Sequence, residues 1–210
     1  MNKIKTLAAI AAAALALQTG TGAAEPVAIV ALGDSLTAGF GLAPGRSFPE
    51  QLEAVLKARG HDVTVANAGV SGDTSDDGLA RLEWSVPADA DIVIVELGAN
   101  DALRGLNPQA TRDALGKIVA TLKGRGQAVL LTGMLAPRNL GDGFARAFDR
   151  IYPELAAEYG VPLYPFFLAG VATDPMLNQP DGMHPNAEGV ATIVAAILPE
   201  VEKLVAAAAD

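Results

Sequence analysis

Hydrophobic and polar positions along the chain alternate between short apolar runs and longer stretches with a helical period. The runs at 27–32, 63–66, 91–97, 127–132 and 161–164 are rich in valine, isoleucine and leucine and only a few residues long, the pattern of strands in a sheet buried on both faces. Between them, 47–59, 74–84, 108–123 and 144–159 carry apolar residues three and four apart, and 186–208 closes the chain in the same way. Gly60, Gly124 and Gly160 stand where three of these helices should stop, as expected of the residue that most readily leaves helical geometry. The clearest strand is Asp91-Ile92-Val93-Ile94-Val95-Glu96-Leu97, with its β-branched centre. Strand and helix in alternation at this spacing predict an α/β fold, a parallel sheet with helices on both faces.

Ligands in such sheets bind beyond the carboxyl ends of the strands, which turns the element pattern into a filter for chemistry. Past the first strand lies Gly33-Asp34-Ser35, past the second Asn67-Ala68-Gly69, and past the third Gly98-Ala99-Asn100-Asp101. All three therefore meet at one edge. A serine there is a candidate nucleophile, although Gly-Asp-Ser is also ordinary turn composition.

A serine hydroxyl needs a base, and histidine suits that role near neutral pH. The chain has two histidines. His61, in Arg59-Gly60-His61-Asp62, lies between a helix end and a strand, where a loop or capping role is expected. His184, in Asp181-Gly182-Met183-His184-Pro185, has an acid three residues before it, so that Asp181 can orient one ring nitrogen while the other faces Ser35. Pro185 and Asn186 then begin the closing helix. Donors for a developing oxyanion are expected from the Ser35 N–H, the Gly69 N–H and the Asn100 side-chain amide. Taken singly, Gly69 is a turn glycine and Asn100 a loop end.

Composition narrows the class of molecule. The 210 residues are 50% apolar and 19% charged, which describes one globular domain with a full core. Lys3 and Lys5, an apolar stretch at 7–17 and small residues up to Ala24 have the parts of a secretory signal. The expectation is a signal peptide at 1–24, a single domain at 25–210, and a periplasmic or secreted protein without stable membrane insertion. Cysteine is absent. Cleavage after Ala24 removes two lysines and no acid, taking the formal charge from −9 to −11 and disfavouring nucleic acid or an anionic membrane as partner. Aromatic residues make up 5% of the chain with Trp84 the one tryptophan, so no platform for stacking sugar rings is evident. No Gly-x-Gly-x-x-Gly follows a strand, which disfavours a dinucleotide site.

Four blocks, Gly33-Asp34-Ser35-Leu36, Asn67-Ala68-Gly69-Val70-Ser71-Gly72-Asp73-Thr74, Glu96-Leu97-Gly98-Ala99-Asn100-Asp101 and Asp181-Gly182-Met183-His184, resemble those of the SGNH (GDSL) hydrolases in order and spacing, across essentially the whole mature chain. Ser71-Gly72-Asp73-Thr74-Ser75, Gly78-Leu79-Ala80-Arg81-Leu82 and Tyr152-Pro153-Glu154-Leu155 bring it nearest to the thioesterase I, lysophospholipase and arylesterase group. The resemblance implies a three-layer α/β/α sandwich on a five-stranded parallel sheet, flavodoxin-like in outline. It implies Ser35 as nucleophile, His184 as base, Asp181 as its orienting acid, and Ser35, Gly69 and Asn100 as the oxyanion hole. Substrates would be small-molecule esters, acyl-CoA thioesters or lysolipids, hydrolysed with no cofactor and no metal. Asp34 is expected to hold the nucleophile turn. The segment 102–107 resembles a loop that closes over the acyl chain, with Leu103 and Leu106 as contacts and Gly105 as hinge. The segment 134–139 supplies a pocket wall through Leu135 and Pro137. A carbohydrate acetylesterase of the same superfamily and a catalytically silent flavodoxin-like binding protein are the alternatives.

Overall fold

Strand β1 (Val27–Gly33) is buried at every position except Ala28, and it lies inside the sheet, with parallel neighbours on both sides. In the computed structural model, which describes residues 25–209, β2 (Val63–Gly69), β3 (Ile92–Glu96), β4 (Ala128–Thr132) and β5 (Leu163–Tyr164) complete a parallel sheet of five strands in the order β2-β1-β3-β4-β5. The expected signal peptide at 1–24 lies outside the described residues. The register sets Gly33 beside Gly69 on one side and Glu96 on the other, so three chain segments leave the sheet at one level. Strand order reverses its direction of growth at β1 and β3, the point where doubly wound sheets open a crevice for ligands.

Helix α2 (Phe48–Ala58) buries Phe48, Leu52 and Leu56 at four-residue spacing and packs beside α9 (Ala187–Ala208) on one face. On the other, α3 (Ser75–Ala80), α6 (Pro108–Gly124) and α8 (Ile151–Tyr159) pack in succession. The expected helix at 144–159 is two: α7 (Asp142–Asp149) stops, and α8 begins after Arg150. Pro153 explains the break, because its ring has no N–H for the Asp149 carbonyl and would collide with it in a continuous helix. The expected helix at 74–84 is interrupted at Arg81, which has φ −102° and ψ 2° and separates α3 from α4 (Leu82–Ser85).

Two short helices were not expected from periodicity, α1 (Ser35–Ala38) and α5 (Ala99–Leu103), and both start where a strand ends. Four or five residues leave too little sequence for a period to show. Gly98, at φ 113°, turns the chain from β3 into α5, and a Cβ there would stand 2.1 Å from the Tyr152 hydroxyl. That hydroxyl donates to the Leu97 carbonyl at 2.9 Å, fixing the turn from below. The buried Asp101 carboxylate then accepts from Ser75 N, Ser75 Oγ and Thr111 Oγ1 at 2.8, 2.5 and 2.9 Å, tying α5 to α3 and α6.

Candidate active site

Asp34 caps α1 by accepting the Leu36 N–H at 2.9 Å, which makes Ser35 the first helical residue. Its N–H consequently has no partner within the helix. The tight turn requires glycine at 33, where a Cβ would come 2.1 Å from Thr37 Oγ1. Ser35 Oγ lies 2.9 Å from His184 Nε2, and His184 Nδ1 lies 2.6 Å from Asp181 Oδ2. The other carboxylate oxygen, Oδ1, accepts the backbone N–H groups of Met183 and His184 at 2.9 and 3.0 Å. The His184 and Met183 amides, together with the imidazole, hold the Asp181 pKa down at about 2. Hydroxyl, imidazole and carboxylate so aligned can pass the serine proton to the ring.

The loop that carries Asp181 and His184 is tied down on several sides. Asn178 Nδ2 donates to the Val171 and Asp174 carbonyls, both at 2.7 Å, and Asn186 caps α9 while its own Nδ2 reaches the Met176 carbonyl at 2.8 Å. Gln179 Nε2 donates to the Phe40 carbonyl at 2.7 Å, joining this loop to the chain that leaves α1. The Phe40 ring packs on the imidazole with centroids 4.6 Å apart. His61 stands elsewhere, its Nε2 3.0 Å from Glu202 Oε1 of α9.

Asn100 Nδ2 donates to Asp34 Oδ2 at 3.1 Å and to the Asp73 carbonyl at 3.0 Å, so its amide reaches the nucleophile turn from the β3 side. Gly69, expected to add a backbone donor, gives its N–H to Asn67 Oδ1 at 3.0 Å. Its missing Cβ serves packing instead, since that atom would lie 2.3 Å from Ala38 N. Three residues on, Gly72 adopts φ 92° in a turn closed by the Asp73 N–H on the Val70 carbonyl at 3.2 Å. Arg104 Nη2 holds the Gly72 carbonyl at 2.7 Å, and no described acceptor takes the Gly72 N–H.

Beneath this edge lie two fully buried carboxyl groups. Burial pushes the Asp34 pKa up to about 6, and raises that of Glu96 well above the usual carboxyl range, with the Asp34 charge adding to it. Glu96 Oε2 accepts from Thr37 Oγ1 at 2.8 Å, while Oε1 has no hydrogen-bond partner. Burial in that position favours the neutral carboxyl group, because an ionised one would carry a poorly solvated charge.

A cleft of about 450 Å³ opens on Ser35, walled by Met134, Leu135, Ala136, Pro137, Phe166 and Leu168. Of the expected acyl contacts, Leu103, Leu135 and Pro137 line it. Leu106, 39% exposed, and Gly105 do not. Phe166, Leu168, Ala172 and Thr173 were missed, although they follow β5 at the same sheet edge, where the strand-end filter would have found them. Among the described residues no three histidine or acidic side chains are grouped to hold a metal ion.

A hydroxyl, imidazole and carboxylate in line beyond the switch point of a parallel α/β/α sandwich define the hydrolase class of this architecture. The chain belongs to the GDSL-like lipase/acylhydrolase family, whose sequence profile matches residues 31–191. It is 39% identical over 176 residues to an arylesterase of Vibrio mimicus, covering 83% of this chain and 88% of that protein. Over 167 residues it is 40% identical to thioesterase 1/protease 1/lysophospholipase L1 of Escherichia coli K12, covering 79% of each. Among solved structures, the SGNH-hydrolase family esterase AlinE4 shares 47% identity at a TM-score of 0.72, covering 85% of this chain and 96% of that one. TesA shares 35% identity at a TM-score of 0.80, covering 84% and 99%. The protein is an ester-cleaving hydrolase.

Proposed function

We propose that the protein is an exported serine hydrolase for carboxylic esters and thioesters whose acyl group is an extended alkyl chain, lysolipids and acyl-CoAs included. The observation that carries this reading is an apolar cleft opening directly onto a serine hydrogen-bonded to an imidazole. Trp84 lies 76% exposed and outside the cleft, which leaves a sugar-ring platform without support. Export rests on the sequence of residues 1–24.

In this mechanism Ser35 Oγ attacks the substrate carbonyl as its proton passes to His184 Nε2, and the carbonyl π-electrons move onto oxygen. Asp181 keeps the ring in the tautomer that can accept, then stabilises the imidazolium. The oxyanion takes hydrogen bonds from the Ser35 N–H, from the Asn100 amide as the N–H held by Asp34 Oδ2 turns to the substrate while the other stays on the Asp73 carbonyl, and from a second backbone donor, which the hydrogen bonding supports as Gly72 in place of Gly69. Collapse expels the alcohol or thiol with the proton from His184, leaving an acyl-Ser35 ester. Water activated by the same ring then releases the acid. Phosphonylation with a p-nitrophenyl alkylphosphonate tests the assignment. Intact mass should show one adduct per chain, mapped to Ser35, and Ser35→Ala should neither label nor turn over an ester. Label at another serine, or turnover by Ser35→Ala, contradicts the mechanism.

A further inference from the structure

The three donors assigned to the oxyanion come from three separate segments, so something has to fix their spacing. Ser35 follows β1, Gly72 lies in the turn after β2, and Asn100 lies in α5 after β3. Backbone ladders align the strands but end at Gly33, Gly69 and Glu96, before any of the donors.

One side chain touches the supports of all three. Arg81, at the break between α3 and α4, is 6% exposed. Its Nη2 donates to the Gly33 carbonyl at 2.8 Å, two residues before Ser35. Its Nε donates to Asp73 Oδ2 at 2.5 Å, one residue after Gly72. The carbonyl of that same Asp73 holds the Asn100 amide at 3.0 Å. Nη1 rests on Ser85 Oγ at 3.0 Å, which leaves the guanidinium plane little freedom to turn. Only a planar fork reaches a carbonyl on one strand and a carboxylate on the next loop together. A lysine ammonium, as a point charge on a flexible stem, satisfies one at a time.

We infer that Arg81 is a positioning residue that sets the geometry of the oxyanion hole by clamping the nucleophile strand to the loop bearing Gly72 and Asp73. The inference rests on the serine-hydrolase reading above. Arg81 touches no substrate and acts through the donors, so its loss weakens binding of the tetrahedral state and leaves ground-state binding in the apolar cleft largely alone. Misplacing donors by a fraction of an ångström has large consequences for rate, and loss of a single donor costs about a hundredfold to a thousandfold.

An alkyl trifluoromethyl ketone reports on the hole directly. Ser35 Oγ adds to its carbonyl carbon, the proton goes to His184, and the former carbonyl oxygen becomes an anion facing the donors. The matching secondary alcohol has the same chain and no carbonyl, so it senses only the cleft. In Arg81→Met, kcat on a p-nitrophenyl ester should fall roughly tenfold to a hundredfold with KM within about threefold. The ketone Ki should rise by the same factor, and the alcohol Ki should stay within about twofold. Arg81→Lys should fall between wild type and methionine. Asp73→Asn, which keeps the carbonyl that holds Asn100, should show the same pattern more weakly, and these two variants carry the test if methionine prevents folding, as judged by thermal unfolding. A kcat within about twofold of wild type in folded variants overturns the inference, and so does a rise in alcohol Ki equal to that for the ketone. Ser35→Ala separates the two levels: if it still turns over ester or still binds the ketone tightly, the serine-hydrolase reading itself fails.

Discussion

Glu96 and Asp34 show how much a single position can hide from the sequence. Glu96 stands at the end of the clearest strand, and that placement was legible from the β-branched run before it. Its complete burial, with Thr37 on one oxygen and nothing on the other, depends on contacts that have no period along the chain. The consequence is a pH-dependent cost. A folded-state pKa raised above the ordinary value of 4.5 means that the native state holds the Glu96 proton more tightly than the unfolded chain. Its contribution is therefore full below that value and is lost as pH rises toward the folded pKa. The charged and polar neighbours are Asp34 and Thr37 of the nucleophile turn, with the buried Tyr152 hydroxyl below. Glu96→Gln keeps the shape and removes the titration. Its melting temperature relative to wild type should therefore be more favourable at pH 8 than at pH 4, and an offset that does not vary with pH contradicts the assignment. Gly69 and Gly72 illustrate the same limit. Two glycines three residues apart look alike in sequence, and the Asn67 side chain decides which N–H is taken.

At the scale of elements, the pairing of Asp181 with His184 was legible because the two groups are neighbours along the chain. Asp181 and His184 need only one turn of backbone to meet, and the strand-end rule supplied Ser35 opposite them. Asp181→Asn should retain an oxygen for the Met183 and His184 amides and present an N–H to the ring, which traps the wrong tautomer. Turnover of a p-nitrophenyl ester should then fall about ten-thousandfold with the fold intact. A loss under about tenfold would mean that the Gln179 tether and the Phe40 ring hold the imidazole unaided. With the Asp181 pKa held down at about 2, the acid stays charged through the mildly acidic range and keeps its hold on the ring there. Helix boundaries were less legible than helices. Pro153 breaks 144–159 into two by a local steric rule visible in the sequence, whereas the interruption at Arg81 coincides with long-range hydrogen bonds that no local pattern records.

Across the whole molecule, the alternation of strands and helices carried the topology, and the topology carried the site. The sheet order puts β1 and β3 side by side at the switch point, so residues separated by 66 to 149 positions in sequence converge there. The cleft was half legible. Its wall at Leu103 came from a segment beside a recognised block and those at Leu135 and Pro137 from the loop after the fourth strand, whereas Phe166 and Leu168 follow the expected last strand in a stretch with neither period nor recognised block. Among the described residues no helix is long and apolar enough to cross a membrane.

If the proposed hydrolase seats alkyl chains in this cleft, kcat/KM across p-nitrophenyl esters from acetyl to palmitoyl, for wild type and for Leu168→Trp, will report it. Wild-type kcat/KM should climb as the chain lengthens into the cleft, and the tryptophan should cut the long esters at least about tenfold while the acetyl ester changes far less. A wild-type rate confined to the acetyl ester, or a tryptophan effect equal at every length, would contradict it.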